Sequence, residues 1–278
     1  MEDLNVATRR GTVLNGVLFP AQDADTVVIA ITGIHGNFYS NPFYYNIGDT
    51  LSENGIDFIY AQTKEAYGKI ETFNAKTGTK EIVGSWNERF SYTEEDIDAY
   101  LDCAAKKYRH VILAGHSLGA NKVIYYLSKH HDKKRVEKFI LMSPANLSHM
   151  MSGVSDGEKD FIEKLVRYGQ GEKILPFYFM GRVVCTANTA HDWLSGTLDN
   201  TNNFSQLEQI NHTGALIIGT YDNFTDGDPS GFLKKINSHM KTAAANKLIF
   251  IERTGHTYQQ KHQEIAETIK NLAIEWTT

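Results

Sequence analysis

A serine framed by two glycines, Gly115-His-Ser-Leu-Gly119, stands between an apolar run, His110 to Gly115, and a run of helical periodicity, Leu118 to His130. A serine at so sharp a strand-to-helix turn takes strained backbone angles, and the glycines remove side chains that would collide with the neighbouring strand and helix. Ser117 then projects above the sheet, and the N–H of Leu118, first in its helix, is free to face an anion forming beside the serine oxygen. A hydroxyl is a poor nucleophile at neutral pH; it needs a histidine to take its proton and a carboxylate to orient that histidine. Of 11 histidines, His256 follows a strand and a glycine in Ile249-Phe-Ile-Glu-Arg-Thr-Gly-His256, which predicts a loop at the carboxyl edge of the last strand. One strand earlier, Ala215 to Gly219 runs out into Thr-Tyr-Asp222, which makes Asp222 the first choice of acid. Asp226 is the second, because it shares a loop with Asp228 in which Asp-Gly and Asp-Pro are turn formers.

A second oxyanion donor is expected from Thr32-Gly33-Ile34-His35-Gly36-Asn37, where two glycines let backbone approach a substrate. It is the N–H of Ile34 if the preceding strand ends at Thr32, and that of Asn37 if His35-Gly36 is the turn. His35 in this loop and His116 beside the serine are candidates to touch substrate.

These groups need a frame, and short β-rich runs alternate with helix-period runs nearly from end to end, the pattern of an α/β fold with a mainly parallel sheet flanked by helices. Asn5 to Arg9 and Thr12 to Phe19 read as an antiparallel entry pair at one edge. Thr26-Val-Val-Ile-Ala-Ile-Thr32 is apolar on both alternating sets of positions, as in a strand covered on both faces. A helix from about Pro42 stops at Asn54-Gly55, and a strand follows from Asp57 to Gln62. The polar stretch Thr63 to Ser91, with Trp86 and Arg89, is long for a connection and reads as a functional, mobile or solvated loop. Thr93-Glu-Glu-Asp predicts a hydroxyl-capped helix with acids in its first turn. After a strand from Val136 to Ser143 the rhythm stops. Residues 145–212 form an insertion with one clear helical run, Gly157 to Tyr168. The rhythm returns from Thr213, so the core divides into 1–144 and 213–278. Within the insertion, Met150, Met151 and Leu175-Pro-Phe-Tyr-Phe-Met180 either dock it onto the core or line a pocket; Phe177 and Phe179 are the candidates for an apolar portion of substrate.

The order Ser117, Asp222, His256, with Gly-His-Ser-Leu-Gly and a late Thr-Gly-His, resembles the α/β-hydrolase superfamily over nearly the whole chain, and within it the lid-bearing serine hydrolases. The resemblance implies an eight-stranded sheet, a lid inserted after the sixth strand where 145–212 lies, and a serine esterase working through a catalytic triad, a nucleophile elbow and an oxyanion hole. It departs from the family at Thr32-Gly33-Ile34, where many relatives carry His-Gly and an apolar residue, which leaves Ile34 and Asn37 both open. The expected reaction is cleavage of a carboxylic ester through an acyl-enzyme; acyl transfer or thioester cleavage uses the same triad, and a ligand receptor on a hydrolase frame is the rival of another class.

Composition narrows the rest. The formal net charge of -5 gives no basic field for nucleic acid. Two cysteines, Cys103 and Cys185, are too few for a disulfide framework and read as buried apolar fillers. No H-E-x-x-H, phosphate loop or G-x-G-x-x-G occurs, so neither metal nor nucleotide cofactor is called for. No run approaches the length of a membrane span, and the acidic first residues do not resemble a signal peptide; a cytoplasmic protein acting on a small-molecule ester is expected.

Overall fold

A computed structural model describes residues 1–198 and 200–277; Asp199 and Thr278, which fall within the expected insertion and second core segment, lie outside the described residues. The chain runs β1 (Glu2–Ala7), β2 (Val13–Phe19), β3 (Thr26–Ile31), α1 (Phe43–Ser52), β4 (Asp57–Ala61), β5 (Ile70–Asn74), β6 (Thr79–Val83), α2 (Thr93–Ala104), β7 (His110–His116) and α3 (Leu118–Lys129). It continues with β8 (Lys138–Met142), α4 (Leu147–Ser152), α5 (Asp156–Arg167), α6 (Ala187–Leu194), β9 (Thr213–Gly219), α7 (Pro229–Ser238), β10 (Lys247–Ile251) and α8 (His262–Thr277).

Eight strands form one sheet in the order β1-β2-β4-β3-β7-β8-β9-β10. The pairs β1–β2 and β2–β4 are antiparallel, and every later pairing is parallel. Strand β3 shows why the parallel part holds: Val27, Ile29 and Ile31 enter the core under α2 and α3, while Val28 and Ala30 enter the opposite core with residues of α1 and α8. A strand apolar at every position is what two covered faces require. From β3 the chain pairs first with β4 on one side and later with β7 on the other. The carboxyl ends of β3 and β7 are therefore a point where the winding reverses, the place at which open α/β sheets leave a crevice.

Three local expectations are corrected. Residues 63–91 are not a solvated excursion: they contain the antiparallel hairpin β5–β6, and Lys64, Glu65 and Glu88 are buried. Thr93 does not cap α2; it is the first helical residue, Tyr92 precedes it, and no side chain caps the helix. Cys103 is exposed, and only Cys185 is buried.

Between β8 and β9 the chain leaves the sheet and returns, among the described residues, with three α-helices rather than the one expected. Helices α4 and α6 hold six and eight residues, too short to show a helical period. Ser155 and Glu158 build a reciprocal capping box on α5. This segment makes a third core from Ile162, Leu175, Phe179, Val183 and Trp193, which takes in Leu118 and Tyr125 of α3 and Phe90 of the loop before α2. Polar ties reinforce that join: the Phe90 N–H donates to Asp192, the Thr186 N–H to the Trp86 carbonyl, and Arg89 to Thr189 and Glu172. No helix among the described residues is long and apolar enough to cross a membrane.

Candidate active site

Ser117 sits between the end of β7 and the start of α3 with φ 56° and ψ −129°, a left-handed conformation unusual for a residue with a side chain. The flanking glycines permit it. A Cβ on Gly115 would lie 2.4 Å from the Gly119 carbonyl oxygen, and one on Gly119 would lie 2.1 Å from that of Ile31. Helix and strands thus approach backbone to backbone, and the Ser117 N–H is tied to the Met142 carbonyl of β8 at 3.0 Å.

The loops after β9 and β10 are laced together. Tyr221 N–H donates to the Thr254 carbonyl at 2.8 Å and Thr220 N–H to that of Ile251 at 3.0 Å. The lacing fixes two side chains against the serine: His256 Nε2 is 2.8 Å from Ser117 Oγ, and His256 Nδ1 is 2.8 Å from Asp222 Oδ2. Asp222 is buried, and its other oxygen accepts the Phe224 N–H at 2.9 Å. Burial pushes this carboxyl up, but hydrogen bonds from His256, Phe224 and Ser143, with the charge of His256, outweigh it and hold the group below the ordinary aspartate value. An acid so held remains an acceptor and keeps the proton on Nδ1, leaving Nε2 free to accept from the serine. Asp226 is not brought to the site; it is exposed and pairs with His149 at 3.3 Å.

The serine opens into a cavity of about 140 Å³. Gly33, Ile34 and Leu118 border it on the sheet side, and Leu147, Met150 and Trp193 close it from the segment between β8 and β9. In the loop after β3, the Asn37 N–H donates to Ser40 Oγ at 2.9 Å and the His35 N–H to the Glu65 carbonyl at 2.8 Å, whereas Ile34 faces the cavity.

The remaining expected residues divide. His116 lines the cavity, fully buried, and its Nε2–H donates to the His256 carbonyl at 2.8 Å. Burial, and then the neighbouring charge of His256, push its pKa down to about 3, so it is neutral and fixes the histidine loop from below. His35 is turned away: its Nε2 is 2.8 Å from Ser85 Oγ, and burial lowers its pKa. Phe177 and Phe179 do not reach the cavity, because their stretch packs into the third core, where Phe179 is fully buried and Phe177 lies 6.1 Å from the Phe161 ring. The aromatic side chains that do line it are Trp193 and Phe224, the latter 4.3 Å from the His256 ring. Phe224 follows Asp222 by two residues, a proximity that could have nominated it; Trp193 lies on a helix too short to be seen. Among the described residues no group of three or more His, Cys, Asp or Glu is placed to hold a metal ion.

A family model described as a protein of unknown function (DUF1749) matches residues 16–206. None of the curated proteins compared matches the sequence. Solved structures do match over almost their whole length. Est1E from Butyrivibrio proteoclasticus superposes with a TM-score of 0.70 at 16% identity, covering 99% of each chain. The esterase EaEST from Exiguobacterium antarcticum gives 0.64 at 16% identity, covering 98% of this chain and all of its own (100%). The monoacylglycerol lipase of Paleococcus ferrophilus gives 0.66 at 14% identity, covering 95% of this chain and 99% of its own. At such identities the likeness is one of fold, and the fold is that of the α/β hydrolases, as the resemblance in the sequence implied.

Proposed function

The chain belongs to the DUF1749 family, proteins of unknown function with an α/β-hydrolase-like fold, and we propose that it is a serine hydrolase that cleaves a carboxylic ester. The observation that carries this reading is the continuous chain of two 2.8 Å contacts from Ser117 through His256 to Asp222, set at the carboxyl edge of the sheet and open to a cavity.

In this reading Ser117 Oγ attacks the ester carbonyl carbon while His256 Nε2 takes its proton. The C–O bond to the alcohol then breaks, and the imidazolium returns that proton to the leaving oxygen. Water, deprotonated by the same nitrogen, releases the acid and restores the serine. Asp222 keeps the imidazole in the required tautomer and offsets its positive charge. The N–H groups of Leu118 and Ile34 receive the developing oxyanion, each worth about 10²- to 10³-fold in kcat when well aimed. Residues 145–212 act as the lid, supplying Leu147, Met150 and Trp193 to exclude water from the carbonyl. That the esterase EaEST and the monoacylglycerol lipase of Paleococcus ferrophilus share the fold supports the assignment of reaction class.

A fluorophosphonate probe tests it directly. Labelling of wild-type protein and its loss in Ser117→Ala is the expected result, together with hydrolysis of p-nitrophenyl butyrate that both Ser117→Ala and His256→Ala abolish. A folded wild-type protein that takes no label ends the proposal.

A further inference from the structure

The cavity wall holds one feature that ester chemistry alone does not require. Arg182 lines it, among neighbours such as Ile34, Leu118, Met150 and Trp193 that carry no charge. Arg182 is exposed, but the turn that carries it is built, not a loose loop. The turn 179–183 is closed by Phe179 N–H to the Val183 carbonyl at 2.9 Å and Val183 N–H to the Phe179 carbonyl at 3.0 Å, and both residues are fully buried. Met180 and Gly181 make the bend with φ 53° and 69°. The guanidinium carbon then lies 5.1 Å from the centre of the Phe224 ring, which itself lies 4.3 Å from the ring of His256.

The neighbouring acids are committed elsewhere: Asp222 to His256, Asp226 to His149 and Glu172 to Arg89. Among the described residues Arg182 has no carboxylate partner. A permanent cation one aromatic ring away from His256 opposes the imidazolium that must form during acylation. That cost disappears when an anion sits on the guanidinium. A contact with a ring face uses none of the guanidinium's N–H donors, so its fork stays available to a pair of carboxylate oxygens.

We propose that Arg182 binds an anionic group of the substrate, so that the ester cleaved at Ser117 carries a carboxylate away from its scissile bond. This rests on the hydrolase reading given above and names the class of ester it acts on. The charge belongs on the acid or the alcohol side, and two length-matched pairs separate these: monoethyl adipate against ethyl heptanoate, and acetoxyhexanoate against heptyl acetate. In one pair kcat/KM for the anion is expected to exceed that for the neutral ester by at least about tenfold, the scale of a hydrogen-bonded charge pair. Arg182→Gln should collapse that ratio, Arg182→Lys should retain part of it, and added salt should reduce it. A ratio at or below unity in both pairs, or one that Arg182→Gln does not move, overturns the inference; if the neutral esters are still cleaved and Ser117→Ala abolishes that cleavage, the hydrolase reading survives. Should no ester be cleaved, that reading falls and calorimetric titration decides for Arg182. Adipamate binding in preference to adipamide, with the preference lost in Arg182→Gln, supports it; equal binding overturns it.

Discussion

Asp222 and Glu88 are both carboxylates withdrawn almost wholly from water, and they are driven in opposite directions. Asp222 is met by separate donors, the ring of His256 and the N–H of Phe224, one on each oxygen. Glu88 lies against α3, where Lys122 Nζ is 2.9 Å from its Oε1 and 2.5 Å from Glu65 Oε1. One ammonium thus serves two acids, and the second oxygens of both Glu88 and Glu65 are buried without a hydrogen-bond partner. Burial is therefore the largest influence on Glu88, the charges of Glu65 and Asp96 add to it, and Lys122 and Lys64 do not compensate: its pKa is pushed up to about 8. Lys122 stays a cation, since the surrounding acids outweigh the cost of its own burial. The difference teaches that a buried acid holds its charge where each oxygen has its own donor, and gives it up where a cation is divided.

The largest effect should come from breaking the satisfied acid. Asp222→Asn is expected to lower kcat/KM for p-nitrophenyl butyrate by about 10⁴-fold, because an amide no longer selects the imidazole tautomer that the serine needs. The stability side has a definite sign. A carboxyl whose folded pKa lies below its usual 3.8 stabilises the fold above that pH and loses the contribution as pH falls through the folded value. Thermal melting of wild type and variant should therefore differ most at neutral pH and converge in acid. A variant that retains full activity would remove Asp222 from the site.

Next in size is the shared cation. Lys122→Met removes the ammonium in contact with both Glu65 and Glu88, and urea unfolding should show a loss of about 3–5 kcal/mol. Adding Glu65→Gln to that variant should restore part of it, since a neutral amide is cheaper to bury than a carboxylate. An unchanged unfolding midpoint in Lys122→Met would mean that Lys122 does not offset the burial of these acids.

Glu88→Gln sharpens the same contrast more gently. A glutamate whose folded pKa rises from 4.5 to about 8 is harmless below the lower value. Its penalty accumulates as pH rises between the two and is complete above the higher. Wild type and Glu88→Gln should melt together near pH 4.5, and the variant should become the more stable by several degrees at pH 8, as the wild-type protein alone pays for ionisation. Parallel melting curves across that interval would place the proton elsewhere in the cluster.

The contrast also explains which parts were legible in the sequence. Ser117, Asp222 and His256 lie at ends of apolar strands, and β3, β7, β9 and β10 announce those ends because both faces of each are covered. The glycines beside Ser117 can be read for the same reason: close backbone approach leaves a mark in residue type. Glu65, Glu88 and Lys122 left none. In sequence they are polar residues in a polar stretch and on a helix, and their burial is a product of where the hairpin β5–β6 folds the chain back. The cavity wall suffers likewise. Trp193 and Arg182 reach the cavity only through the third core and the turn it holds, assembled from short elements without a readable period, whereas the more obvious aromatics Phe177 and Phe179 pack inward.

The smallest expected effect comes from Asp226, the acid that the sequence ranks second to Asp222. It occupies the same loop four residues on, yet it is exposed, and its ion pair with His149 is solvated on both sides. A pair of that kind contributes about 0–1 kcal/mol. The residue's φ of 60° and the following Gly227 at 81° mark it as a turn former, a role that asparagine fills as well as aspartate. Asp226→Asn should accordingly keep kcat/KM within about twofold and stability within about 0.5 kcal/mol. A hundredfold loss of turnover there, with Asp222→Asn active, would exchange the two acids and with them the claim that the number of donors on each oxygen, more than position in the loop, decides which carboxylate does chemistry.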